Sequence, residues 1–229
     1  MARHRHERLF LGSNSRSNSQ SVPGRESGRS GRLAREKSRA TPSLELLEDR
    51  VVLSNYSVTS NADGNTRGTL RYAISQLDKS GGASNTITFK LPAGHYSITP
   101  RSPLPSITKP VDIEGNSQPG FKGAPLVVIS GGSAGHNASG LTLAAGSAGS
   151  VIQSLVIDGF KSSGIVIMSA NDRVTGCYVG TDVTGQRAIG NNYDGVRVEA
   201  PGITIGGTTA GAANLISGNS SAGAYVRAP

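Results

Sequence analysis

Few residues of this 229-residue chain have the type and spacing to do chemistry. The aspartates of its second half are Asp158, Asp172, Asp182 and Asp194, interspersed with Arg173, Arg187 and Arg197. Paired carboxylates on one face are what glycoside hydrolysis requires. On that reading Asp182 and Asp194 are the catalytic acids to consider, with Arg197 as their basic partner. A competing reading applies to each acid. Asp158, Asp182 and Asp194 each stand in a turn beside Gly or Thr, where an aspartate hydrogen-bonds the backbone. Asp112, Asp158 and Asp182 are placed to bind calcium at the edges of a repeat, Asp158 and Asp182 being the metal candidates. No dense D-x-D-x-D run accompanies them. Calcium is therefore the one cofactor the residues suggest.

Three further groups carry less. Gly131-Gly-Ser-Ala-Gly135 fits the G-x-S-x-G pattern of a nucleophile elbow. That elbow needs a strand–turn–helix setting, whereas another short strand, Leu141-Thr-Leu143, follows here. His4 and His6 have no further metal ligands converging on them. Cys177 is the single cysteine, so no internal disulfide can form, and within Arg173-Val-Thr-Gly-Cys-Tyr-Val it reads as a small buried apolar group.

These residues sit on a repeat. A glycine-led phrase recurs as Gly140-Leu-Thr-Leu, Gly164-Ile-Val-Ile, Gly195-Val-Arg-Val and Gly223-Ala-Tyr-Val. After each of the first three come a polar turn, a second short apolar run, another turn and a third run. A repeat of this length made of short strands predicts a solenoid. In the coils Leu, Ile and Val recur at alternate positions, as in Leu141/Leu143, Ile165/Ile167 and Val196/Val198, so one set faces inward and the other outward. The 31 glycines and 4% aromatic content agree with many short strands and tight turns.

The net charge of +8 is uneven: residues 1–50 carry 11 Lys and Arg against 6 Asp and Glu, the remainder 12 against 9. Residues 56–229 offer neither a basic stripe nor aromatic platforms, which argues against a nucleic-acid partner. No apolar run reaches the roughly 18–20 residues of a transmembrane helix.

Four regions follow. Residues 1–42 read as a disordered basic leader, too polar to offset the entropy of ordering. Residues 43–54 form a short amphipathic segment with Leu44, Leu47 and Val51 on one face. Residues 55–125 make an N-terminal cap and first coils: a strand at Tyr56, a helix over 69–79 capped by Thr69 and ended by Gly81-Gly82, and strands at 85–91, 94–99 and 111–115. Residues 126–229 are coils proper, and the chain stops one strand into a new coil, so further coils or a partner are expected to cover that end.

Two resemblances add to this reading. Leu44, Glu45, Leu47, Glu48, Asp49, Arg50, Leu53 and Ser54, after the basic lead-in, resemble the leader of planctomycete-type cell-surface proteins; this implies export, an extracellular or cell-surface location and processing near Ser54. From about residue 56 the phrases TLRYAI, NTITFKLPAGHYSIT, SPLPSITKPVDIEG, VGTDVTGQRAIGNNYDGVRV and ITIGGTTAGAANLISGN resemble bacterial right-handed parallel β-helix surface proteins of the pectate-lyase-like superfamily. The fold implied is an all-β right-handed parallel β-helix with a short capping helix. Enzymes of that superfamily cleave polysaccharides, some with calcium-binding Asp clusters and a basic Arg or Lys. Gly180-Thr-Asp182 stands where polygalacturonases have NTD, with Gly in place of Asn, and their DD, GHG and RIK phrases are missing. The expectation is an exported β-helix in a structural, adhesive or carbohydrate-contacting role, with a polysaccharide or cell-envelope partner. The alternative is a polysaccharide lyase or glycoside hydrolase, or the N-terminal part of one.

Overall fold

The computed structural model describes residues 53–77, 79 and 84–227. The basic leader, the export segment up to Val52, His4, His6 and the Gly81-Gly82 helix stop lie outside the described residues. The rest winds into a parallel β-helix of about six turns, the architecture the repeat predicts. Each full coil contributes one strand to each of three sheets. The first sheet stacks six strands in the order β1 (Leu53–Val58), β2 (Ser84–Phe89), β4 (Val111–Glu114), β7 (Val151–Gln153), β10 (Arg173–Thr175) and β13 (Thr204–Ile205). The second stacks β3 (Ser97–Ile98), β5 (Val127–Ser130), β8 (Leu155–Asp158), β11 (Tyr178–Val179) and β14 (Leu215–Ile216). The third stacks β6 (Leu141–Leu143), β9 (Ile165–Ile167), β12 (Val196–Val198) and β15 (Ala224–Val226), the four glycine-led phrases.

All these strand pairs are parallel and in register, so like residues stack. Ile87 pairs with Ile113, Ile113 with Ile152, Ile152 with Val174 and Val174 with Ile205. This inward aliphatic column is almost wholly buried. Burial of each Ile or Val contributes about 1.5–3 kcal/mol. Parallel columns run through Ile129, Ile157, Val179 and Ile216, and through Leu141, Ile165 and Val196.

The leading glycines of the third sheet answer to space. A Cβ on Gly164 would lie 2.6 Å from Val179 Cγ1 and 2.8 Å from the Gly195 carbonyl oxygen; one on Gly140 would lie 2.3 Å from the Gly164 carbonyl oxygen. The coil turns its corner where the next coil's backbone touches it, and no side chain fits.

Helix α1 (Leu70–Leu77) buries Leu70, Ala73, Ile74 and Leu77, the stripe its spacing predicts, against the first coil. Thr69 caps it: its hydroxyl accepts from Tyr72 N–H at 3.2 Å and donates to Gly64 O at 2.6 Å. Arg71 ties the helix down, binding Asp63 at 2.8 Å and the carbonyls of Ser102 and Pro103 at 2.8 and 2.7 Å. Strand β1 begins at Leu53, inside the segment assigned to the export motif.

Candidate functional site

The sequence-derived candidates do not converge. Asp194 is buried, and its Oδ1 accepts from Ala222 N–H at 3.2 Å in the next coil. Asp182 lies in the excursion after β11, where its Oδ1 accepts from the Thr184 hydroxyl at 2.8 Å and from the amides of Gln186 and Arg187. These bonds hold its carboxyl below the ordinary carboxylate range. Arg197 points outward from β12. Its Nε and Nη2 each bind Glu199 Oε1 at 2.7 Å, and its guanidinium rests 5.7 Å from the centre of the Tyr225 ring. The hydrogen bond and charge of Glu199 raise the guanidinium pKa further, so Arg197 is a fixed cation and no proton acceptor. Asp182 lies in the excursion over the second sheet, whereas Asp194 and Arg197 stand at strand β12 of the third, near enough for the Asp194 charge to act on Arg197 but each bound elsewhere, Asp194 to the Ala222 amide and Arg197 to Glu199. The turn reading holds for Asp182 and Asp194.

Asp172 is 1% exposed and closes a buried corner. Its Oδ1 accepts from Ser150 N–H at 2.8 Å, its Oδ2 accepts from the Ser169 hydroxyl, and Ser169 bonds the Ser147 hydroxyl at 2.7 Å. This network serves architecture. Cys177 is fully buried and desolvation pushes its thiol up to about 12, so it stays protonated and inert. Ser133 of the G-x-S-x-G run is exposed in a turn that leads to β6, with no helix after it.

The structure points to a different surface. On the outer side of the six-stranded sheet, period-two alternation and parallel register stack two columns that are polar except at Val151. One reads Thr86, Asp112, Val151, Arg173 and Thr204; the other reads Thr88, Glu114, Gln153 and Thr175. Two contiguous hollows of about 510 and 230 Å³ lie on this face, sharing Gln153 and Thr175. Loops wall them on one side. Residues 116–123 are latched to the preceding coil by Gln118, whose side-chain amide accepts from Leu91 N–H at 2.8 Å and donates to Leu91 O at 3.0 Å. The 206–212 loop is anchored by Asn214, which accepts from Cys177 N–H and donates to Val174 O, both at 2.8 Å. Rigid walls preorganise the cleft.

Arg173 is exposed there, and Asp112 and Glu114 are half-buried one strand below the larger hollow. Neither carboxylate has an ion-pair or hydrogen-bond partner among the described residues. Desolvation raises the Asp112 pKa. Sequence reading missed Glu114 and Gln153. The signal that finds them is register: only once coils are aligned strand by strand do residues 112, 151 and 173 become neighbours.

A further hollow of about 590 Å³ flanks β1, lined by Tyr56, Arg67 and Tyr72. Its described lining contains one cation and no acid. No described helix is long and apolar enough to cross a membrane. No family model matches the chain, and no curated protein matches it.

Proposed function

We propose that the protein is an exported, cell-surface β-helix whose six-stranded sheet contacts a polysaccharide or cell-envelope glycan. The observation that carries this is the walled cleft with its in-register polar ladder. Strands repeat about every 4.8 Å, a spacing of the order of one sugar ring in an extended chain, so successive rungs meet successive rings. Asp112 and Glu114 accept from sugar hydroxyls, Arg173 donates in a fork, and Gln153 does both. The hollows are lined by Arg173 and neutral residues, and the adjoining strand carries Asp112 and Glu114, so one cation beside two acids suits a neutral glycan better than a uronate polymer. Export and surface attachment rest on the leader resemblance of residues 44–54.

Retention of the full chain on immobilised neutral and acidic polysaccharides tests this. Retention by a neutral glycan that R173A and Q153A weaken supports it; no retention on any polymer contradicts it.

A second reading, glycoside hydrolysis, is favoured by one feature. Asp112 and Glu114 sit two residues apart on one strand, facing the same side, with their Cβ atoms roughly 6–7 Å apart by strand geometry. New reducing ends that disappear in E114Q would establish it.

A further inference from the structure

Asp158 is a buried carboxylate without a counter-charge. Strand β8 is buried on both faces, because the excursion 180–189 folds over its outward side. That excursion is pinned at both ends. Gly180 N–H donates to Ile157 O at 3.0 Å, Ile189 N–H donates to Gly180 O at 2.9 Å, and Gly159 N–H donates to Ile189 O at 3.2 Å. The β8–β11 register, Val156 with Tyr178 and Ile157 with Val179, sets Asp158 beside Gly180 and Thr181.

Asp158 and Thr181 are each 3% exposed. Asp158 Oδ1 and Thr181 Oγ1 are buried and have no hydrogen-bond partner. A buried orphan carboxylate oxygen and a buried orphan hydroxyl on neighbouring strand ends are unusual, because each costs the desolvation of its group. Asp182 adds to the imbalance. Its three side-chain bonds all fall on Oδ1, and its negative charge is close enough to oppose ionisation of Asp158. The two ion pairs among the described residues involve neither acid.

We propose that the 180–189 excursion closes over a site for a hard divalent cation, held by Asp158 Oδ1, the Thr181 hydroxyl and the Asp182 carboxylate. Such a cation takes carboxylate, hydroxyl and carbonyl oxygens, and calcium tolerates the irregular geometry of a loop. One ion resolves the orphan carboxylate oxygen, the orphan hydroxyl and the like-charge pair together. A proton on Asp158 resolves the charge but leaves Thr181 as it is. The site lies on the second sheet and is independent of the cleft on the first.

The test uses the full chain, stripped with a chelator and titrated with calcium chloride, read by calorimetry and by thermal melting. The expected result is one ion per chain with Kd of about 0.1–1 mM, the range of extracellular calcium modules. At about ten times Kd the melting temperature should rise by roughly 3–6 °C. D158N and D182N, which keep shape and most hydrogen bonds, should each abolish the heat and the shift, while E114Q, on the first sheet beside the cleft, keeps both. D158N should melt no lower than the stripped wild type, so its loss of response is separable from unfolding. Should D158N not fold, T181V serves, with affinity expected to fall about tenfold. A wild type with no calcium response overturns the proposal. A response that survives D158N, or whose affinity T181V leaves unchanged, or that vanishes in E114Q, does the same.

Discussion

A single methyl group tests how closely the coils stack. Gly164→Ala would place a Cβ 2.6 Å from Val179 Cγ1 and 2.8 Å from Asn191 Nδ2, both buried, and 2.8 Å from the Gly195 carbonyl oxygen. Relief requires backbone movement, so the expected loss is about 1–3 kcal/mol in urea unfolding. Gly132→Ala meets nothing within 4 Å and should change stability by less than about 0.5 kcal/mol. Asp158 supplies a pH test. Desolvation raises its pKa, the Ser130 hydroxyl opposes this and the Asp182 charge adds to it. The folded value therefore lies above the unfolded value of about 3.9. Its contribution to stability is fully present below that pH and lost as pH rises through the folded value. With chelator present, wild type should lose stability relative to D158N between about pH 4 and neutrality; equal pH profiles would contradict this. The turn role of Asp182 and Asp194 was legible from Gly and Thr neighbours. The orphan oxygen of Asp158 was not, because it depends on an excursion returning from the next coil.

At the scale of elements, the capping helix is held by polar contacts at its first turn. Burial alone would raise the Asp63 pKa, but the Arg71 hydrogen bonds and charge, with the Arg101 amide, bring it below the ordinary value. That contribution is present above about pH 3.9 and is lost as pH falls through the lowered folded value. Arg71→Ala should therefore cost about 2–4 kcal/mol near neutrality, since it strands a half-buried Asp63 and two carbonyls, and less in acid. Thr69→Ala should cost about 1 kcal/mol through the lost cap. The helix and its buried stripe were legible from the period of Leu70, Ala73, Ile74 and Leu77 and from the cap residue. Strands two residues long, β3 and β13 among them, were not legible to their ends, because turns and neighbouring coils set those ends. The walls of the cleft were also hidden. The role of Gln118 depends on the Leu91 backbone, 27 residues earlier, and no local pattern marks it.

The whole molecule turns a one-dimensional repeat into a surface. Four copies of one phrase predicted one sheet, and the four phrases do form the third sheet. The face that carries the cleft is the first sheet, whose strands share no such phrase. Thr86, Asp112, Val151, Arg173 and Thr204 belong to five coils and are separated by unequal lengths of chain. Their alignment follows from coil stacking, and sequence spacing alone does not show it. We propose that this stacked face is where the protein meets a glycan. Affinity electrophoresis of the full chain through gels containing neutral polysaccharides tests it most directly, with the wild type beside R173A and the double variant E114Q/Q153A. One neutral polymer is expected to retard the wild type, each variant to migrate closer to its mobility in plain gel, and no new reducing ends to appear. Equal retardation of all three proteins, or of none, would contradict it.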